Sequence, residues 1–204
     1  MIKCALVMAV IGHILCGICD CLLGYSGKKR LDFKCINDQE KMAEMFEDMP
    51  LSNPMISTVL GTFAIALFGF GYFALSEWMK GYSTTAANTM FIASVLFTVS
   101  IVVHHVICGV VEWIYIRLDR KDEVRKAVLQ FQKETISTML VGYASLVVFV
   151  VTLFVMIISG KTDIPSWGCI FNTLVFMLIL LPTKLPAKGN IAGALMYLGL
   201  LFLI

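Results

Sequence analysis

His13-Ile14-Leu15-Cys16-Gly17-Ile18-Cys19-Asp20 lies inside an apolar run at about residues 3–25. It returns in nearly the same form as His105-Val106-Ile107-Cys108-Gly109-Val110-Val111-Glu112, inside a second run at about 86–116. The order His, two aliphatics, Cys, Gly, aliphatic, one free position, acid is kept in both. A helix needs about 20 apolar residues to cross about 30 Å of hydrocarbon, and both runs are that long. A charge placed there costs about 2.5–3.5 kcal/mol on insertion scales, so an acid and a histidine at matched positions mark a site more readily than a scaffold.

The rest of the chain has the same character. Of 204 residues, 59% are hydrophobic and only 15% charged, and the mean hydropathy is +0.86. That composition excludes an ordinary soluble domain. A net charge of +2 carries no nucleic-acid signal. Six candidate spans fall at about 3–25, 55–78, 86–116, 137–160, 164–182 and 188–204. The expected fold class is therefore all-α: a polytopic membrane protein, one transmembrane domain over 1–204, with six transmembrane helices. The first run has no small-x-small cleavage site after it and reads as a retained span. The last is short.

The basic residues set the orientation. Connections one, three and five hold 13 of the Lys and Arg residues, and the other side holds only Lys3, Lys80 and Lys161. The positive side faces the cytoplasm, so both termini are expected outside a cell membrane. Within connection one, Met42, Met45, Phe46 and Met49 recur at helical spacing. This amphipathic segment, 38–49, is capped by Asn37 or Asp38 and ended by Pro50. It reads as a short helix resting on the inner leaflet, or more sharply as a gate. Residues 119–135, with mixed charges, extend the third or fourth helix.

His13, Cys16 and Asp20 share one helical face, as do His105, Cys108 and Glu112. Helices one and three run in the same direction, so depth compares directly. The histidines lie near mid-membrane, and the acids about 10 Å nearer the cytoplasm at about 1.5 Å per residue. The simplest arrangement faces the two stripes across a shared cavity. Gly168-Cys169-Ile170-Phe171-Asn172 keeps the Cys and a polar residue. It suggests a degraded third copy, with three repeated helical hairpins. Asn172 then joins the same polar layer. His104 points about 100° away from His105 and reads as structural. The plainer alternative is a packing patch, in which Gly17 and Gly109 let helices approach closely.

Four chemistries fit these residues. In a membrane-embedded enzyme, His13, Asp20, His105 and Glu112 exchange protons with a small lipophilic substrate. Trp113, Tyr143, Tyr25 and Tyr115 shape its pocket, and Asn172 polarises a carbonyl or hydroxyl. In a metal site, His13, Cys16, His105 and Cys108 hold zinc tetrahedrally, with a bis-histidine haem as a variant. A proton- or metal-coupled transporter uses the same midplane groups and, with so few helices, works as a homodimer. Thiol redox at Cys16 and Cys19 is least favoured, because these thiols lie toward the reducing cytoplasm and diverge by about 60° on a helix. The partners expected are the lipid bilayer and a small lipophilic ligand.

Four stretches resemble a group of uncharacterised bacterial six-helix membrane proteins of unknown function. They are Gly17 to Asp20, Met42 to Met49, Gly61 with Gly69-Phe70-Gly71-Tyr72, and Phe171-Asn172 with Leu181-Pro182 and Asn190. The resemblance covers most of the chain and implies a six-span fold without an activity. A looser likeness to emopamil-binding-type isomerases rests on buried His, acids, Trp and Asn among few helices, and is analogy.

Overall fold

The computed structural model describes residues 1–27 and 29–204. Its first helix, α1 (Ile2–Gly24), is apolar throughout and ends where Tyr25 turns extended. A two-residue ribbon follows, β1 (Tyr25–Ser26) paired antiparallel with β2 (Lys29–Arg30). Next comes a short amphipathic helix, α2 (Gln39–Met45), where the side chain of Asp38 accepts from the Lys41 amide as an N-cap. Then run α3 (Ser52–Met79), α4 (Thr84–Arg117), α5 (Asp122–Glu134) and α6 (Ser137–Ile158). A 3-10 turn (Ser166–Ile170) leads to α7 (Thr173–Leu180) and α8 (Lys188–Leu203).

Among the described residues, four helical runs are long and apolar enough to cross a membrane: α1, α3, α4, and the run Asp122–Ile158 that α5 and α6 make together. α1, α3, α4 and α6 overlap the first four apolar runs of the sequence, and α5 lengthens the fourth at its start. The last two expected spans come out differently. Residues 164–182 form one 3-10 turn and eight residues of helix. Asn172 caps that helix, and Pro182 disfavours continuation beyond Leu181. α8 has 16 residues, about 24 Å at about 1.5 Å per residue.

The helices stand as a ring. α1 packs on α3, α3 on α4, α4 on α6, α6 on the 166–170 turn, α7 on α8, and α8 on α1. α1 and α4 face each other across the middle and barely touch. The connections gather at two ends. At the basic end, Arg120 donates to the Phe46 carbonyl at 3.0 and 3.1 Å, and Arg30 donates to the Lys184 carbonyl at 3.0 Å. At the other end, the Tyr82 hydroxyl donates to Asp163 at 2.8 Å.

Two features hold the ring. One is an aromatic centre near the middle of the ring. Tyr72 meets the rings of Phe68, Phe97, Phe149 and Tyr197, all with centroids within 6 Å. The other is close backbone approach. A Cβ on Gly12 would sit 2.5 Å from the Phe68 amide nitrogen and 2.7 Å from the Ala64 carbonyl oxygen. In lipid, where tails are as apolar as leucine, such van der Waals packing is what associates helices.

At the basic end, the apolar face of α2 does not rest on a leaflet. Met42, Phe46 and Met49 are buried against Val111, Tyr115, Ile116 and Val128, so α2 is packed on the ends of α4 and α5. Asp122 orders the facing surface. It binds Lys126 at 2.6 Å and Arg125 at 2.7 Å. Arg125 in turn donates to the Ile36 carbonyl at 3.0 Å.

Gly12→Ala is expected to destabilise the protein by about 1–3 kcal/mol, because the new methyl meets backbone rather than a movable side chain. Gly24→Ala has nothing within 4 Å of its methyl and is expected to leave the thermal midpoint in detergent unchanged or raised. Equal midpoints for the two variants would contradict the close contact of α1 and α3.

Candidate functional site

A cavity of about 480 Å³ occupies the space between α1 and α4. Its inner wall is apolar, with Ile65, Phe68, Tyr72, Phe97, Ile101 and Leu146. Toward the basic end the lining becomes polar: His13, Cys16, Asp20, His105, Cys108 and Glu112 from the two repeated stretches, with Asn190 of α8 and Gln132 of α5. Tyr25, Arg30 and Lys188 border it at that end. Both histidine-cysteine-acid stripes therefore meet one cavity.

Asp20 is the centre of the polar part. One carboxylate oxygen accepts from the Asn190 amide nitrogen at 2.8 Å. The amide oxygen of Asn190 accepts from Nδ1 of His13 at 2.9 Å. This order fixes the His13 tautomer, since an amide that donates to a carboxylate turns its oxygen to the imidazole. His13 carries its proton on Nδ1. Its Nε2 is buried with no partner among the described residues. The ring lies flat on Phe68 (centroids 4.3 Å, planes 10° apart). On another side it fills the space over Gly193, where a Cβ would strike it.

The other carboxylate oxygen of Asp20 faces Nδ1 of His105 at 3.9 Å. His105 is anchored from behind. The Ser57 hydroxyl donates to the Cys19 carbonyl at 3.0 Å, so its oxygen is left to accept. Nε2 of His105 donates to the Ser57 carbonyl at 3.1 Å and shares that proton with the Ser57 hydroxyl at 3.3 Å. In the neutral Nε2–H tautomer, Nδ1 turns its lone pair toward the carboxylate. The two repeated histidines thus use opposite nitrogens. Each nonetheless seats its ring over a glycine of the neighbouring helix, Gly193 for His13 and Gly61 for His105.

Cys16 completes a cluster. One ligand atom each from Cys16, Asp20 and His105 can be chosen so that all lie within 4.8 Å of one another. Cys16 and Asp20 are one helical turn apart on α1, and His105 comes from α4 across the cavity. Of the expected zinc ligands, the structure joins Cys16 and His105 and adds Asp20. It gives His13 to Asn190 instead. The sulfur of Cys108 lies 3.6 Å from Nε2 of His104. His104 itself is satisfied: the Thr138 hydroxyl donates to the Thr135 carbonyl at 2.8 Å, so Nδ1 of His104 donates to the Thr138 oxygen at 3.4 Å.

The remaining expected residues divide. Glu112 lines both the main cavity and a smaller one under α2, and one carboxyl oxygen is buried with no partner among the described residues. Tyr143 lines the main cavity and is 53% exposed. Trp113 is outside that lining. Asn172 is also outside it. Fully buried, it accepts from the Leu174 amide at 2.9 Å and donates to the Val150 carbonyl at 2.9 Å. It is a helix cap that ties α7 to α6. Asn190, named above only for the family resemblance, and Ser57 are not among the expected site residues. Asn190 carried a signal, an amide in an apolar run that needs a partner. Ser57 carried none that separates it from the other serines.

The architecture is an all-helical bundle with apolar helices of membrane-crossing length around a cavity that holds a Cys/Asp/His cluster. The chain belongs to a family of unknown function, DUF6796, whose model matches residues 1–203. No curated protein and no solved structure matches it.

Nitrogen-15 NMR of histidine-labelled protein in detergent is expected to show His13 and His104 protonated at Nδ1 and His105 at Nε2. Asn190→Leu should abolish the His13 preference and leave that of His104. A His13 resonance with the proton on Nε2 would contradict the Asp20–Asn190–His13 chain.

Proposed function

We propose that the chain is an integral membrane protein whose cavity binds a small lipophilic molecule. The polar group of that molecule is activated at the Cys16–Asp20–His105 cluster by acid/base or metal-assisted chemistry. The observation that carries this reading is the division of one cavity into an apolar half and a polar end where Nδ1 of His105 faces the Asp20 carboxylate at 3.9 Å. A lipophilic tail fits against Ile65, Phe68, Phe97 and Ile101. Its hydroxyl or carbonyl then reaches Asp20 and His105.

The positions of the other groups support the same reading. Ser57 fixes which nitrogen of His105 is free, and Asn190 with His13 fixes the carboxylate plane of Asp20. This is the preorganisation that proton transfer requires. His13 and Asn190 act here as positioning residues, since they are bonded to each other and Asn190 in turn to Asp20. Tyr143 supports a side entrance, being half exposed on α6 and part of the lining. Outward-facing Ile11, Phe63, Phe70, Ile92, Val99 and Val151 are exposed, as a lipid-facing surface requires. The matched seats of His13 on Gly193 and His105 on Gly61 support an internal repeat of helical hairpins. In that arrangement residues 164–182 and α8 make the fifth and sixth passes. The basic end is cytoplasmic by the charge rule, and both termini lie outside.

Extraction of purified protein is expected to release about one small lipophilic molecule per chain. Ile101→Trp and Leu146→Trp, which fill the cavity, should lose it, and lipid-facing Val147→Trp should keep it. Equal recovery from all three variants would contradict the cavity as the binding site. For orientation, a phosphatase reporter fused after Ile204 is expected to be active, and one inserted at 183–186 inactive. The reverse pattern contradicts the proposed sidedness.

A further inference from the structure

We propose that Cys16, Asp20 and His105 bind one zinc ion, with its remaining coordination position open to the cavity. This rests on the functional reading above and names the agent at its polar end.

The case begins with the tautomer of His105. A metal-ligating histidine usually donates its other ring N–H to a carbonyl or carboxylate, which orients the ring and fixes the free lone pair. The Ser57 carbonyl and hydroxyl do this for Nε2 at 3.1 and 3.3 Å. The lone pair on Nδ1 then faces a carboxylate oxygen at 3.9 Å. Two acceptors aimed at each other repel unless a cation or a proton lies between them. Metal–ligand bonds of about 2.0–2.3 Å put neighbouring ligand atoms of a tetrahedral zinc roughly 3–4 Å apart. The Asp20–His105 separation already meets that spacing. The carboxylate is supported in its turn, because its second oxygen accepts from Asn190 at 2.8 Å.

The donor set selects the ion. One thiolate, one imidazole and one carboxylate suit zinc, whereas magnesium and calcium take oxygen ligands. Binding releases the proton of the Cys16 thiol to solvent and forms one sulfur–zinc bond. Three protein ligands with a fourth position facing a cavity are the arrangement of catalytic zinc sites, not of closed structural ones. Glu112 and Cys108 line the same cavity, yet the ligating cluster holds neither.

The test uses full-length protein in detergent, stripped with chelator, dialysed and titrated with cobalt(II) alone. One cobalt per chain is expected, with a visible band of low-coordinate cobalt and a near-ultraviolet sulfur-to-cobalt band, both removed by zinc. Cys16→Ser should lose the sulfur band and keep the visible one. Asp20→Asn and His105→Gln should weaken binding at least tenfold. His104→Gln and Cys108→Ser should bind as wild type, as should a chain with Cys4, Cys21, Cys35 and Cys169 all changed to Ser. If a cluster variant fails to fold, X-ray absorption of the zinc-loaded wild type decides, with one sulfur among nitrogen and oxygen ligands expected. Absence of cobalt binding, or a sulfur band that survives Cys16→Ser, overturns the proposal. The two readings separate cleanly. Wild type that holds the lipophilic molecule but no cobalt removes the zinc and keeps the cavity. Cobalt bound at the cluster, with the molecule retained by the cavity-filling variants, does the reverse.

Discussion

A carboxylate at the polar end of a cavity between apolar helices has to be held, and the bond from Asn190 to Asp20 is the constraint on which the rest depends. It joins α1 to α8, the first and last helices of the chain, across 170 residues. It decides the direction of the Asn190 amide, and through that the His13 tautomer. It also frees the other carboxylate oxygen to face His105. Without the amide, the hydrogen bond that ties Asp20 to α8 is lost.

The same constraint explains why two nearly identical stretches do different things. His13 and His105 each sit over a glycine of the neighbouring helix, so the backbone packing is alike. The neighbour supplies an amide side chain in one case and a backbone carbonyl in the other. An amide oxygen takes the proton of Nδ1, and the Ser57 carbonyl takes that of Nε2. One histidine becomes a support and the other is left with a free lone pair. The acids part in the same way: Asp20 finds Asn190, while Glu112 lines the smaller cavity under α2 together with Gln132.

Much of this was legible in the chain. Apolar length gave the four long helical runs, and the spacing of Met42, Phe46 and Met49 gave α2, whose cap, open between Asn37 and Asp38 in the sequence, is Asp38. The repeat located the cavity wall. What the spacing did not carry was the partner of each polar group, because partners lie on other helices. The pairing of His13 with Asn190 spans 177 residues, and no local pattern reports it. Cys108 was grouped with Cys16 by analogy of position, but its i−4 neighbour on the same helix, His104, is the partner it meets. Asn172 was read as part of a polar layer. An Asn directly before Thr173 and an apolar run is also a helix cap, and the cap is what forms. The amphipathic face of α2 was assigned to lipid because periodicity shows that a face is covered, not by what.

The most direct test of the central claim is a double-mutant cycle between Asp20→Asn and Asn190→Ala, read as unfolding free energy in mixed micelles. A charge-assisted bond that holds α8 on α1 predicts a coupling of about 1–2 kcal/mol. Strictly additive effects of the two substitutions would mean that Asp20 is not held by α8, and the account of the cavity's polar end would fail with it.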